Sequence, residues 1–427
     1  MVKDLFDRLQ KDMGPLGQHM REGDGYYMFP KLEGEISSRM KFMGKEMISW
    51  SLNNYLGLGN HPEVRKADAD AAAQWGLAYP MGARMMSGNS IYHEQLENEL
   101  AEFVMKEAAV LVNFGYMGVM SAIDALLSPR GRDVVVYDED CHACILDGLR
   151  MYPGKRFSFA HNNIESFAKN IERASKLAET TGGGILVITE GVFGMRGEQG
   201  KLKEIAAFKK DYNFRLLVDD AHGLGTLGKT GAGAGEEQGC QDDIDVYFGT
   251  FAKSFASIGG FLAGDKYIMD FLRFNMRSQI FAKSMPMPLV IGNLKRLDMI
   301  RKHPELKEKL WENVNMLQNG LKERGFNIGN TNTCVTPVFL KGELVEATGL
   351  VHDLRENYGI FCSIVIYPVI PKGIILLRLI PTAMHTAADI NETLEAFTAI
   401  KSKLESGAYL SEKHEVVAAA NPSVDNN

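Results

Sequence analysis

Lys253 stands alone among small and apolar residues in Gly249-Thr250-Phe251-Ala252-Lys253-Ser254-Phe255-Ala256-Ser257-Ile258-Gly259-Gly260, just after an apolar run that reads as a strand. Desolvation in such a setting lowers a lysine pKa and favours the neutral amine, a nucleophile for carbonyl carbon. Small neighbours leave room for a bulky adduct, although a surface lysine on a loop would show the same neighbours. A second run, RLLVD, leads into Asp219-Asp220-Ala221-His222. An aspartate at the C-terminal end of a strand can pair with a pyridinium nitrogen and keep it protonated, which makes the ring an electron sink. His222, three residues on, can reach an adjacent ring oxygen. The same residues also fit an ordinary acidic strand end that caps a helix. Asn113-Phe114-Gly115-Tyr116-Met117 follows the run AVLV, and a glycine turn opening a helix presents free N–H groups to a phosphate. His142, after DVVVYDED, could stack on a planar ring. A Schiff-base lysine, an acid for a ring nitrogen, a phosphate cradle and a stacking group are together what pyridoxal phosphate (PLP) needs.

These groups require a scaffold that collects strand ends. Short apolar runs recur at 109–112, 133–138, 185–189, 215–219, 245–250 and 259–264, without polar alternation. Helical periodicity separates them: Leu96, Leu100, Phe103 and Val104 mark one buried face, and Ile205, Ala206 and Phe208 another. Such a pattern predicts a mainly parallel sheet covered on both faces, with functional groups at the strand C-terminal ends. Residues 291–327 read as a long helical connection through Leu294, Leu297, Ile300, Leu310, Val314, Leu317 and Leu321. VTPVFL, GIFCSIVIYPVI and IILLRLIP then suggest a smaller α+β domain. The expected divisions are an N-terminal arm over 1–50, a large domain over 51–290, a small C-terminal domain with its linking helix over 291–406 and a frayed tail over 407–427. In the arm, Leu5, Leu9 and Met13 share a helical face for packing on the body or a partner subunit, with membrane-surface contact as the other reading. Gly23, Asp24 and Gly25 end it.

Composition narrows the classes. The 427 residues are 45% hydrophobic and 24% charged with a net charge of −7, ordinary for a globular chain that can bury a full core. Mild acidity argues against nucleic-acid binding, which calls for a basic stripe. Five cysteines make no disulfide framework and fit a reducing compartment. No apolar stretch approaches the roughly 18–20 residues of a membrane span, and MVKDLFDRLQKD lacks the apolar core of a signal peptide. A soluble cytoplasmic protein is the expectation.

Two motifs point elsewhere. Gly223-Leu-Gly-Thr-Leu-Gly228-Lys229-Thr230 fits the G-x-x-x-x-G-K-[ST] phosphate loop. Such a loop starts directly off a strand, whereas Asp219-Asp220-Ala221-His222 intervenes here and its carboxylates would repel a triphosphate. Cys141-His142-Ala143-Cys144 resembles half of a zinc site, but four ligands are needed and no second C-x-x-C exists; Cys240, Cys334 and Cys362 are isolated. No metal is expected.

Over about residues 45–400 the sequence resembles the α-oxoamine synthases, within the fold-type I PLP enzymes. The markers are Asn53-Asn54-Tyr55-Leu56-Gly57-Leu58, His142-Ala143 with Asp147-Gly148, Glu190-Gly191-Val192-Phe193, Asp219-Asp220-Ala221-His222-Gly223 and Gly249-Thr250-Phe251-Ala252-Lys253-Ser254. The resemblance implies a seven-stranded, mainly parallel sheet and a homodimer with the active site at its interface. It implies condensation of an amino acid with an acyl thioester and release of carbon dioxide. By motif, Lys253 is the Schiff-base lysine and the base for the Cα proton, Asp219 the pyridinium partner, His222 the ring-oxygen partner and His142 the stacking residue. Gly115, Tyr116, Thr250 and Ser284 complete the cofactor site; Asn53 and Arg378 hold the substrate carboxylate. The 22 Met and 22 Phe could line an acyl channel, with core packing the ordinary role for most.

Within the family the sequence is similar to the serine palmitoyltransferases, through His161-Asn162-Asn163 and GTF-x-KS-x-AS-x-GGF. Its departures matter. The glycine-rich GSR segment becomes Tyr79-Pro80-Met81-Gly82-Ala83-Arg84-Met85-Met86-Ser87-Gly88, and F-S-M-[DE]-G becomes Phe193-Gly194-Met195-Arg196-Gly197. In the segment that reaches toward the partner's phosphate, F-S-x-S becomes Phe281-Ala282-Lys283-Ser284, and Ala252 stands where serine is common. An acid is lost and Arg196 and Lys283 are gained, a direction that suits an anionic side group. Cysteate carries a sulfonate where serine has its hydroxyl, so the sequence resembles the cysteate fatty-acyl transferases of sulfonolipid synthesis. Arg196, Lys283 and Arg84 are its expected substrate-binding cations, against surface charge as the plain reading. The expected product is a 3-keto sulfonolipid base of the ketocapnine type; serine, giving 3-ketosphinganine, is the alternative. An aminotransferase and a non-catalytic binding protein on the same scaffold are the rivals. Coenzyme A and a carrier protein are both open as acyl carriers, as is peripheral membrane contact.

Overall fold

The computed structural model describes residues 4–7, 9, 25–365, 370 and 373–411. In chain order its strands are β1 (Leu32–Glu33), β2 (Arg39–Phe42), β3 (Lys45–Ser49), β4 (Ala108–Val112), β5 (Val134–Asp138), β6 (Lys155–Phe159), β7 (Ile185–Glu190), β8 (Val192–Phe193), β9 (Glu198–Gln199), β10 (Arg215–Asp219), β11 (Val246–Thr250), β12 (Gly260–Gly264), β13 (Thr336–Lys341), β14 (Ile360–Phe361), β15 (Ser363–Val365) and β16 (Ile374–Leu379).

Seven of them form one sheet in the order β4-β12-β11-β10-β7-β5-β6. Only β12 is reversed, running antiparallel to both β11 and β4. β7, β11 and β12 are buried along their whole length, and β10 all but its first residue, as continuous apolar runs require when helices cover both faces. Six of these strands are the six apolar runs of the sequence. β6 is the one without such a signal: it is an edge strand, Lys155-Arg156-Phe157-Ser158-Phe159, mostly exposed, and polar residues suit an edge. The six parallel strands all end at one rim, so whatever follows them is brought together there.

A second core lies under the antiparallel sheet β13-β16-β15 and the helices Leu344–Tyr358 and Ala387–Glu405. It includes Ile48 and Trp50, and β3 pairs with β14 through Ile48 and Ile360. The end of the expected arm is therefore built into the C-terminal part of the molecule. Trp50 Nε1 donates to Thr393 Oγ1 at 3.0 Å and locks that join. The linking helix is two helices, Met287–Lys302 and Pro304–Glu323, broken at His303. Pro304 has no N–H for a continuing helix but suits the first position of a new one. Leu5 and Leu9 are exposed rather than packed on the body. Met13, Gly23, Asp24, the end of GIFCSIVIYPVI from 366 to 369 and the tail beyond 411 lie outside the described residues.

Candidate active site

Lys253 lies three residues past the end of β11, in a tight turn. Ala256 N–H donates to the Lys253 carbonyl at 2.8 Å and Ser257 N–H to the Phe251 carbonyl at 2.8 Å. Ser254 Oγ pins the turn to the Leu224 carbonyl at 2.7 Å. Ala256 adopts φ 47° there, a left-handed conformation that costs a non-glycine residue roughly 1–2 kcal/mol. The turn leaves Lys253 half-buried. Burial pulls its amine down to about 8, while Asp219 and Glu190 oppose that fall.

Asp219 ends β10 and is buried. Burial raises its pKa, and the charges of Lys253 and His142 pull it back. Its Oδ1 accepts Ala221 N–H at 3.1 Å, and Cys144 Sγ lies 3.7 Å from Oδ2. In the register of β10 and β7, Asp219 faces Glu190. Burial, with Asp219 beside it, holds Glu190 well above the usual carboxylate range.

His142 caps the helix Ala143–Met151, its Nδ1 accepting Cys144 N–H at 3.3 Å. Its backbone N–H donates to Glu190 Oε1. The ring is exposed, with Tyr116 edge-on at 6.1 Å. His222 is held by Tyr55, whose hydroxyl is 2.7 Å from Nδ1, and burial lowers its pKa well below the usual value. A Cβ at Gly194 would sit 2.3 Å from His222 Nε2, so glycine in place of the family's serine lets the imidazole pack on bare backbone. Arg378, on β16, donates from Nε to the Gly194 carbonyl at 2.6 Å and from Nη2 to Asn53 Oδ1 at 3.4 Å. Asn53 and Arg378, 325 residues apart in sequence, are thus neighbours.

At the other end, Gly115 opens the helix Gly115–Leu126, whose N-terminus no side chain caps. A Cβ on Gly115 would meet Phe248 at 2.8 Å and Thr250 Oγ1 at 3.5 Å, so only glycine lets the helix start lie this close to β11. Tyr116 turns its hydroxyl to the Asp147 carboxylate, which leaves its backbone N–H as the group for a phosphate. Thr250 Oγ1 donates to the Gly259 carbonyl at 3.1 Å. Ser284 lines a small recess with Arg84, Leu111, Asn113, Gln279 and Met285; its hydroxyl is buried and has no partner among the described residues.

The three expected substrate cations are placed differently from one another. Arg84 is committed to structure, with its guanidinium bidentate on buried Glu97 at 2.8 and 3.0 Å and its Nε on Asn89. Three of its five N–H donors are thus taken by structural partners, which weakens its expected substrate role. Arg196 pairs with Asp140 on the surface. Lys283 is exposed, and among the described residues its ammonium meets the Leu77 carbonyl at 3.4 Å. The phosphate-loop lookalike is filled by its own chain: Glu237 accepts Gly228 N–H, and Glu236 accepts Thr230 and Ala232 N–H. All five cysteines are buried thiols.

The residues fit PLP. A half-buried amine of lowered pKa, a buried carboxylate beside it, a neutral histidine on an exposed edge, and a glycine-started helix with free N–H groups match the aldehyde, the ring nitrogen, the ring face and the phosphate. Glu190, Cys144 and Tyr55 complete the arrangement and carried no assigned role in the sequence. Glu190 had a usable signal, since it directly extends the run ILVIT to a strand end beside Asp219.

The family model described as Aminotransferase class I and II matches residues 45–397. The cysteate-C-fatty acyltransferase of Capnocytophaga ochracea is 66% identical over 408 residues, which are 96% of this chain and 97% of that one. The serine palmitoyltransferase of Bacteriovorax stolpii is 34% identical over 382 residues, 90% of this chain and 89% of that one. A solved serine palmitoyltransferase with PLP superposes with a TM-score of 0.86 at 29% identity, covering 94% of this chain and 100% of that one.

Proposed function

Because the chain belongs to the aminotransferase class I and II family, and within it to the α-oxoamine synthases, we propose that it is a PLP-dependent acyltransferase that condenses a long-chain acyl thioester with L-cysteate. The observation that carries the choice of amino acid is 66% identity along 96% of the chain to a cysteate enzyme, against 34% to a serine enzyme. At Cα the net change is simple. A Cα–H bond and the Cα–carboxylate bond break, the acyl carbon joins Cα, and a proton returns to Cα. Carbon dioxide and the free thiol leave, and a 3-keto sulfonolipid base remains.

PLP supplies an electron sink conjugated to Cα when it is bound. Lys253 is its anchor and the base that takes the Cα proton; an amine near 8 is suited to both. Asp219 keeps positive charge at the ring nitrogen. His142 packs on the ring face, and His222, fixed by Tyr55, donates toward the ring oxygen. The N–H groups at Gly115 and Tyr116, with Thr250 beside them, take the phosphate. Arg378 and Asn53, neighbours at the site, would hold the substrate carboxylate. Arg196 and Lys283 provide positive charge for the sulfonate, Lys283 having no acidic partner to neutralise it among the described residues.

The protein works as a homodimer in this reading, with Ser284 and Lys283 directed to the partner's site. Exposed Leu77, Met81, Met86, Phe114 and Phe281 support that, since so many large apolar side chains call for a covering surface. No helix among the described residues is long and apolar enough to cross a membrane, which fits a cytoplasmic enzyme taking its acyl group from coenzyme A or a carrier protein. The test is product identity. Purified holoenzyme given cysteate and palmitoyl-coenzyme A should form a sulfonated amino ketone, one carbon dioxide and one thiol per turnover. Amino-group transfer to a keto acid without carbon dioxide would refute the assignment.

A further inference from the structure

Glu190 has no part in the chemistry above, yet it is 6% exposed at the closing position of β7, facing Asp219 in register. Its Oε1 accepts the N–H of His142, the cap residue of the helix Ala143–Met151. His142 is thereby held at two points. Glu190 takes the backbone N–H, while Nδ1 takes Cys144 N–H at 3.3 Å with Cys144 Sγ 3.0 Å away. An acceptor role for Nδ1 puts the ring proton on Nε2. The two contacts fix both where the helix begins and how the imidazole is turned.

We propose that Glu190 is a positioning residue: through the His142 N–H it sets the place of the imidazole relative to Asp219, and so the seat of the cofactor ring. The proposal rests on Lys253, Asp219 and His142 forming the PLP site. The groups facing Glu190 are Asp219 from β10, Asp138 from β5, Lys253 from the turn after β11 and the His142 N–H. Burial and the two aspartates push its carboxyl up, and Lys253 and the N–H pull it down, with the upward effects winning. Glu190 is thus the carboxyl that holds the His142 N–H, and Asp219 the one placed for the ring nitrogen. A glutamine keeps the accepting oxygen and adds no charge, so it should replace Glu190 in function, whereas alanine should not.

The experiment compares wild-type, Glu190→Gln and Glu190→Ala holoenzymes by PLP dissociation constant, by pH titration of the visible cofactor band, and by kcat and KM for the amino acid. Glu190→Gln should bind PLP within about twofold of wild type with an unmoved band midpoint. Glu190→Ala should bind PLP roughly tenfold or more weakly, as expected for losing one hydrogen bond at a cap, with a displaced band and a kcat loss larger than the KM change. Glutamine as harmful as alanine, or alanine with wild-type affinity and band, would overturn the proposal. If Glu190→Ala does not fold, Glu190→Gln decides alone: a band midpoint shifted by about one unit or more overturns it, and an unmoved one supports it. A wild-type protein that shows no visible band with PLP would instead defeat the PLP reading, before any variant is made.

Discussion

Asp219 and Glu190 stand opposite one another at the ends of adjacent parallel strands, so two buried carboxyls share the rim from which Lys253 projects. Like charges this close resist joint ionisation. The ammonium of Lys253 favours the ionised form of Asp219, and burial disfavours its own charge.

Lys253→Ala should remove the visible absorbance of the holoenzyme and lower turnover by about a thousandfold or more, the scale of a lost general base. Spectra of the dialysed variant and single-turnover assays check this. Normal turnover in the variant would reject the assignment.

The pH dependence of cofactor capture should report the lowered amine. An amine near 8 is mostly neutral above that pH and protonated below it. Capture of PLP by the apoprotein, followed by growth of the visible band, should therefore quicken as pH rises toward 8 and level off beyond. An ordinary lysine would let the rate keep climbing past pH 9.

Arg378→Ala should raise KM for the amino acid by roughly 10- to 100-fold, since a charge-assisted hydrogen bond to a carboxylate is worth about 1.5–3 kcal/mol. The KM for the acyl thioester should move little. Initial rates with each substrate varied in turn measure both.

The sulfonate should be sensed by the unneutralised cation. Lys283→Ala should raise KM for cysteate by up to about fivefold while leaving serine unaffected, the range of one exposed charge pair. Asp140→Asn, which frees Arg196 from its partner, should lower KM for cysteate. Equal changes for both amino acids would place sulfonate recognition elsewhere.

Asp220 offers a check on burial itself. It is fully enclosed, its Oδ1 has no hydrogen-bond partner among the described residues, and burial raises its pKa to about 7. A carboxyl whose folded pKa exceeds its unfolded value stabilises the fold fully below the unfolded pKa, and that contribution is lost as pH rises to the folded one. The Tm of Asp220→Asn relative to wild type should therefore climb between pH 4 and 7 and stay level above 7. A difference that does not vary with pH would show that Asp220 titrates normally.

Much of the site was legible because a parallel sheet converts strand ends into neighbours. Lys253, Asp219, His142 and Gly115 each follow an apolar run, and the runs mark strands that finish at one rim. Asn53 and Arg378 came from the family pattern; no periodicity links residues that far apart. The pairing of Arg84 with Glu97 was not legible, because Glu97 is an unremarkable acid on the next helix and a sequence does not show which charges are already paired. Asp140 hides Arg196 in the same way. β6 was missed because an exposed edge strand carries polar residues, and the linking helix was read as continuous because apolar spacing passes straight through His303 and Pro304. Glu190 was named within a family marker but given no role: its strand-end position was legible, its enclosure beside Asp219 was not.

The choice of amino acid is decided by paired catalytic efficiency. Purified holoenzyme with a fixed palmitoyl thioester is titrated with cysteate and, separately, with serine, and thiol release gives kcat/KM for each. The value with cysteate should be clearly higher; a higher value with serine would overturn the assignment of cysteate as the substrate.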